Sequence, residues 1–131
     1  MANATPSEIA VAWWNAIDHG DFHAAQSLMA PTAHIDWPLS NERMPTPDAW
    51  RIVNENYPGR WRASIEHVIA EGNTVVTRTC IADGGISVLA ISWFTIEHGV
   101  ITNLVEYWPE TYAAPGWRAQ WVTPITRDNQ E

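Results

Sequence analysis

The stretch Val100-Ile-Thr-Asn-Leu-Val-Glu-Tyr-Trp108 follows a His98-Gly99 turn and reads as the last strand of a sheet. Side chains alternate across a strand, so Leu104, Glu106 and Trp108 share one face while Ile101, Asn103, Val105 and Tyr107 share the other. Glu106 is thereby placed between two large apolar residues on a face expected to pack inward. A carboxylate in that position has to be paired, neutralised or put to chemical use.

Working outward, the same period of two runs back through the second half of the chain. Residues 61–71, 74–82 and 86–97 read as strands, separated by a Gly72-Asn73 hairpin turn and an Asp83-Gly84-Gly85 turn. The run Val88-Leu-Ala-Ile-Ser-Trp-Phe94 is apolar on both faces, as expected of a central strand covered by helices on one side and by a second subunit on the other. The first half has a helical period instead. Thr5-Pro6-Ser7-Glu8 is a capping box with proline at the first helical position, and Ile9, Trp13, Ala16 and Ile17 follow at helical spacing up to His19-Gly20. Asp21 caps a short second helix that stops before Pro31, and Thr46-Pro47 opens a third that carries Trp50, Val53 and Tyr57. Between them, Ala33-His-Ile-Asp-Trp37 reads as a short strand closed by Pro38, followed by a polar loop. Three helices before a strongly bent antiparallel sheet make an α+β fold, with the helices closing one side of the sheet around a conical apolar cavity.

Composition narrows the function. At 131 residues and 46% hydrophobic, the chain is a globular domain able to bury roughly two-thirds of its unfolded surface. Its seven basic residues are all arginine and its net charge is −8, which excludes a basic surface for nucleic acid or an anionic membrane. No apolar run reaches the length of a membrane span. Cys80 is the single cysteine, so neither an internal disulfide nor a Cys-pair zinc site can form, and a cytoplasmic location is expected. Residues 109–131 hold Tyr112, Trp117 and Trp121 among prolines, an aromatic-rich extension expected to dock at least in part on the body or on a partner.

Several polar residues interrupt faces that should be apolar. Arg78 shares its strand face with Val76 and Cys80, and an Arg and a Glu that each interrupt an apolar face are natural partners. An Arg78–Glu106 pair lining the interior is therefore expected, the bland alternative being an Arg78 that faces solvent. His34 and Asp36 alternate with Ile35 and Trp37. If the His/Asp face is inward, an imidazole joins a carboxylate in an acid/base site; if Trp37 is inward, both are merely solvated. The histidines of Asp18-His19-Gly20-Asp21-Phe22-His23 straddle a helix stop, so no metal is expected there, and no cofactor is expected at all. Cys80 reads as a small core residue, and the many tryptophans as core or cavity wall for an apolar or aromatic ligand.

The helix–Gly-Asp–helix opening, the strand before Pro38, the Glu71-Gly72 hairpin and the His98-Gly99…Glu106-Tyr107-Trp108 ending together resemble the nuclear transport factor 2-like superfamily, in particular its SnoaL-like branch. The resemblance spans about residues 6–110 and implies a cone-shaped fold, a homodimer formed through the sheet, and a small-molecule pocket. That superfamily holds isomerases, dehydratases, cyclases, epoxide hydrolases and many proteins without activity, so fold alone does not fix function. By the ketosteroid-isomerase pattern, the catalytic positions fall on Trp13, Trp37 and Ile91, none of which can do that chemistry. By the limonene epoxide hydrolase pattern, Glu106 falls on the base, Arg78 on the bridging arginine, Cys80 on the acid, and His34 and Asp36 on the water-orienting pair. The resemblance thus implies an acid/base enzyme with Glu106, Arg78, Asp36 and His34 in the chemistry. Its pocket would be walled by Trp13, Trp37, Cys80, Ile91, Leu104 and Trp108. The other class that the fold allows is a non-catalytic ligand-binding or accessory protein.

Overall fold

Thr5 starts the first helix through a reciprocal cap: its Oγ1 accepts the Glu8 amide at 3.2 Å while its own N–H donates to Glu8 Oε1 at 2.9 Å. In the computed structural model, which describes residues 4–125, helix α1 then runs Pro6–Asp18 and buries Ile9, Ala10, Trp13 and Trp14. Asp21 caps α2 (Phe22–Gln26) by accepting the Ala24 amide at 3.0 Å, and Thr46 caps α3 (Pro47–Glu55) through the Ala49 amide at 3.1 Å. All three helices stand where the capping residues put them. Asp18, at the end of α1, grips the sheet: it accepts from Arg62 Nε at 2.8 Å, Arg62 Nη2 at 3.1 Å and the Ala63 amide at 2.9 Å.

The strands are β1 (Met29–Trp37), β2 (Glu42–Met44), β3 (Arg62–Glu71), β4 (Thr74–Ala82), β5 (Ser87–Glu97) and β6 (Val100–Tyr107), in the sheet order β2-β1-β6-β5-β4-β3. The sheet is curved and unclosed, with the helices along its concave side, so the α+β cone is as expected. It is mixed rather than antiparallel, however, because β1 lies parallel to β6. The first strand also begins earlier than residue 33, and β2 occupies what reads as a polar loop. Its Glu42 and Arg43 are exposed and only Met44 turns inward, too short a pattern to show a period.

One irregularity decides which side chains face the concave side. Thr95 pairs Asn103 but Ile96 pairs Ile101, which leaves Thr102 as an extra residue in β6. The bulge brings Ile101 to the same face as Leu104, and both are fully buried at 0% exposure. Strict alternation puts these two on opposite faces, so this expectation is corrected by the bulge. Beyond it, alternation resumes and Leu104 and Glu106 point inward together.

Under the helices, Trp13 packs edge-on against Trp14 at 4.9 Å and against Phe94 at 5.3 Å, and tilts against Trp50 at 5.3 Å. Truncating a side chain this size in a core costs about 3–5 kcal/mol, so this cluster is the main anchor between helices and sheet. On the convex side, Ile69, Val76, Trp93 and Val105 are cross-strand neighbours, and Ile69 and Trp93 stay 59% and 50% exposed on the single chain. After β6, residues 109–125 contain one 3-10 turn, Gly116–Trp121, and Tyr112, Trp117 and Trp121 project outward at 70–80% exposure. On the single chain these aromatics are exposed, while Pro115 and Arg118 of the same segment are partly buried. Among the described residues no helix is long and apolar enough to cross a membrane.

Candidate active site

Glu106 lies on the concave face at 2% exposure. Its Oε2 accepts the Ser92 hydroxyl at 2.8 Å and its Oε1 accepts the Trp37 indole N–H at 3.1 Å. Both partners are placed by strand register. Ser92 is the residue directly opposite Glu106 on β5, and Trp37 ends β1 just past the pair Asp36↔Val105, so its ring reaches over the adjoining end of β6. Neither donor is charged. Burial pushes the Glu106 carboxyl up to about 7, while the two hydrogen bonds, from Ser92 and then Trp37, pull the other way. The group can therefore hold or release a proton near neutrality, the property needed in a general acid or base.

The concave face continues this polar line across the sheet. Ser92 is opposite Thr77 on β4, and Thr77 Oγ1 accepts the Trp14 indole N–H at 3.0 Å. One step along β4, Thr79 is fully buried opposite Ala90. Trp108, just past the last β6 pair Ile91↔Tyr107, returns to the concave side and packs edge-on against Trp37 at 6.0 Å.

The remaining candidates are placed elsewhere. Arg78 is on the convex face, between Ile91 and His67 in register, and its Nε donates to Glu66 Oε1 at 3.1 Å with both side chains about half exposed. The expected Arg78–Glu106 pair is thus not formed. The inward residues of β4 are Val75, Thr77, Thr79 and Ile81, and position 78 alternates out of that set. Cys80 shares the convex side, 3.2 Å from Ser87 Oγ, and is neither core nor cavity wall. Ile91 also faces out, since its neighbours Ala90 and Ser92 are the inward pair. On β1 it is Ala33, Ile35 and Trp37 that point inward. His34 and Asp36 face the other way, where Asp36 takes a two-pronged contact from Arg43 at 2.6 and 2.9 Å that lowers its pKa. Trp13, Trp37, Leu104 and Trp108 are on the concave side, where Trp13 and Leu104 are buried in the core.

Ser92 is the site residue that the sequence reading passes over. Its signal is present: within the apolar run 88–94 it is the one hydroxyl, and the period of two sets it with Ala90 and Phe94. Among the described residues no group of three His, Cys, Asp or Glu side chains could hold a metal ion. A separate open depression between α2 and α3 is lined by His23, Gln26, Ser27, Asp48 and Arg51. Gln26 there donates to Asp48 and accepts from Arg51, and Ser27 donates to the Ala24 carbonyl.

A SnoaL-like domain model matches residues 10–104, most of the chain. The chain belongs to the SnoaL-like family. Solved structures of similar fold include a provisionally named ketosteroid isomerase from Kribbella flavida DSM 17836, 18% identical with a TM-score of 0.87, covering 94% of this chain and 91% of that one. Another is an NTF-2 like protein of unknown function from Burkholderia xenovorans LB400, 28% identical with a TM-score of 0.78, covering 92% and 95%. A third is an LEH-like epoxide hydrolase of M. tuberculosis, 18% identical with a TM-score of 0.66, covering 79% and 82%. No curated protein matches the chain. Within the SnoaL-like fold the concave side of the sheet is where Glu106 sits, and the comparisons support a small-molecule enzyme as one possible use of it without naming an activity.

Proposed function

We propose that this SnoaL-like chain is a small-molecule enzyme in which Glu106 carries a proton between two positions of an apolar, cyclic or aromatic substrate held against the concave face. The observation behind this reading is a fully buried carboxyl whose hydrogen-bond partners among the described residues are two neutral donors, Ser92 and Trp37. In its ionised form it takes a proton from the substrate or from water; in its protonated form it gives one back. Isomerisation, dehydration, cyclisation and water addition all reduce to that pair of steps. Ser92 and Trp37 hold the carboxyl in one orientation, and Trp37 with Trp108 supplies an aromatic wall. Neither His34, Asp36 nor Arg78 takes part, since all three lie on the opposite face.

The experiment is a turnover screen by proton NMR in D2O over cyclic ketones, β-hydroxy ketones and epoxides, run with the native protein and with Glu106→Gln. A substrate turned over by the native protein should lose at least about a hundredfold in rate in Glu106→Gln, the usual weight of a general acid/base group. Undiminished turnover by Glu106→Gln would remove Glu106 from the chemistry.

A non-catalytic ligand-binding or accessory protein is the second reading, and one observation favours it: both Glu106 oxygens already have partners inside the chain. Ligand binding without turnover anywhere in the screen would support it. As to assembly, we propose a homodimer through the convex sheet face, supported by the half-exposed Trp93 and Ile69. A reducing, cytoplasmic setting is supported by the lone thiol of Cys80.

A further inference from the structure

Residues 109–125 continue from the end of β6, next to Tyr107 on the convex face, and carry five apolar side chains that their own chain leaves open. Tyr112, Trp117, Trp121, Val122 and Ile125 are 50–80% exposed. Among the described residues no backbone hydrogen bond ties this segment to the body, and none of the five side chains packs on the core. Its shape is nonetheless restricted. Pro109, Pro115 and Pro124 fix φ at three points, and the turn Gly116–Trp121 carries both tryptophans. Pro115 and Arg118 are partly buried, with the Arg118 guanidinium over the Trp117 ring at 5.4 Å. The segment is a stiffened arm whose large side chains are open to a partner.

The chemistry of the arm narrows the partner. It holds one acid, Glu110, and one base, Arg118, in a chain of net charge −8, so nothing draws it to an anionic bilayer. A matching surface exists on the chain itself. On the convex face Ile69, Val76, Trp93 and Val105 lie side by side, and Tyr107 follows two residues beyond Val105. The pairs Arg43–Asp36 and Arg78–Glu66 on the same face cancel one another's charge. Two copies therefore meet there with less repulsion than the net charge implies. Area points the same way. Large aromatics offer roughly 150–250 Å2 each, so Tyr112, Trp117 and Trp121 of two copies bring about 900 Å2. A stable interface needs about 1,200–2,000 Å2, and the half-exposed Trp93 with its neighbours supplies the remainder. From Tyr107 to Trp117 the extended chain spans at most about 33 Å, against about 10 Å between two packed sheets, so the arm is long enough to cross.

We propose that residues 109–125 form an exchanged arm: in a pair of copies, each arm lies on the convex sheet face of the other, its tryptophans against the Trp93–Ile69 patch. Two-fold symmetry makes the exchange reciprocal. This rests on the homodimer proposed above and adds the segment that closes it.

The test uses the full chain and two readings. Isotope-filtered NOE spectra of a mixture of 13C,15N-labelled and unlabelled native protein detect contacts between copies alone. Cross-peaks from the Trp117 or Trp121 indole of one copy to the Ile69 or Val76 methyls of the other are expected, and they need no variant to fold. A sedimentation-velocity dilution series then compares the native protein with a variant carrying Tyr112→Ser, Trp117→Ser and Trp121→Ser together. That variant alters exposed side chains, so its circular dichroism should stay native while dimerisation weakens at least about a hundredfold. Neither protein should co-sediment with phosphatidylcholine vesicles. A native dimer without arm cross-peaks between copies, or one whose affinity the triple variant leaves within about threefold, overturns the arm and leaves the sheet dimer standing. A native protein that stays monomeric overturns both. Vesicle binding by the native protein that the triple variant loses would make the arm a membrane anchor and overturn its exchange.

Discussion

Ser92 Oγ donates to Glu106 Oε2 at 2.8 Å across the β5–β6 pair, so a strand-register neighbour rather than an arginine stabilises the buried carboxyl. An uncharged donor compensates burial only in part, and that leaves Glu106 poised near 7 instead of at the usual 4.5. The same carboxyl beside a guanidinium would be locked in its ionised form. The choice of Ser92 and Trp37 as partners is thus what makes the group titratable in the neutral range.

Removing either donor should drive the pKa further up, because both hydrogen bonds lower it. Ser92→Ala, whose lost bond is the larger of the two, should raise the Glu106 midpoint more than Trp37→Phe does. Side-chain carbonyl 13C NMR of labelled glutamate across a pH series reads both. A downward move in either variant would contradict the placement of that donor.

The raised pKa also sets a pH dependence of stability. Between about 4.5 and about 7 the folded chain holds the Glu106 proton that the unfolded chain has released, so its contribution is fully present below 4.5 and is lost as pH rises to 7. At about 1.4 kcal/mol per pH unit, that window amounts to about 3 kcal/mol. Urea unfolding of the native protein and of Glu106→Gln should diverge by that order between pH 5 and pH 8, with Glu106→Gln gaining on the native protein as pH rises. Parallel curves would mean that Glu106 is not desolvated.

Arg78 should be silent in both measurements. Its contact with Glu66 joins two half-exposed side chains on the convex face, and such pairs are worth well under 1 kcal/mol. Arg78→Ala should leave the Glu106 titration unmoved and change unfolding free energy by about 0.5 kcal/mol or less. A Glu106 midpoint that shifts in Arg78→Ala would restore the pairing that the sequence suggests.

How far the sequence carries depends on which interaction is local. Thr5, Asp21 and Thr46 name their helix starts because a cap is decided within four residues, and the strands 74–82 and 100–107 follow from period two and from the turns at Gly72 and at His98-Gly99, where His98 and Gly99 both take positive φ. The parallel β1–β6 pair is not local, and nothing in 29–37 announces it. The site shows the same division. Glu106 stands out as a carboxylate between apolar neighbours, but its partner depends on which face of β4 and β1 turns inward. Arg78 and Asp36 each have a partner on the outside, Glu66 and Arg43, that accounts for them there. Thr77 and Ser92 line the inside because small hydroxyl residues can be buried at little cost when bonded, as theirs are to Trp14 and Glu106, and they read as neutral in a strand pattern.

The convex face supplies a prediction about assembly. Trp93, half exposed beside Val76 and Val105, should lie at the centre of a homodimer. Trp93→Glu should give a monomer in sedimentation velocity while its circular dichroism stays native, because the substituted side chain lies outside the core. A native protein that sediments as a monomer at micromolar concentration would dismiss the sheet dimer.

The most direct measurement is the titration of Glu106 itself, by 13C NMR of glutamate-labelled native protein with Glu106→Gln to assign the signal. A midpoint near 7 is the result expected of a buried carboxyl held only by Ser92 and Trp37. A midpoint near the usual 4.5 would contradict it, and with it the role of Glu106 as the proton carrier.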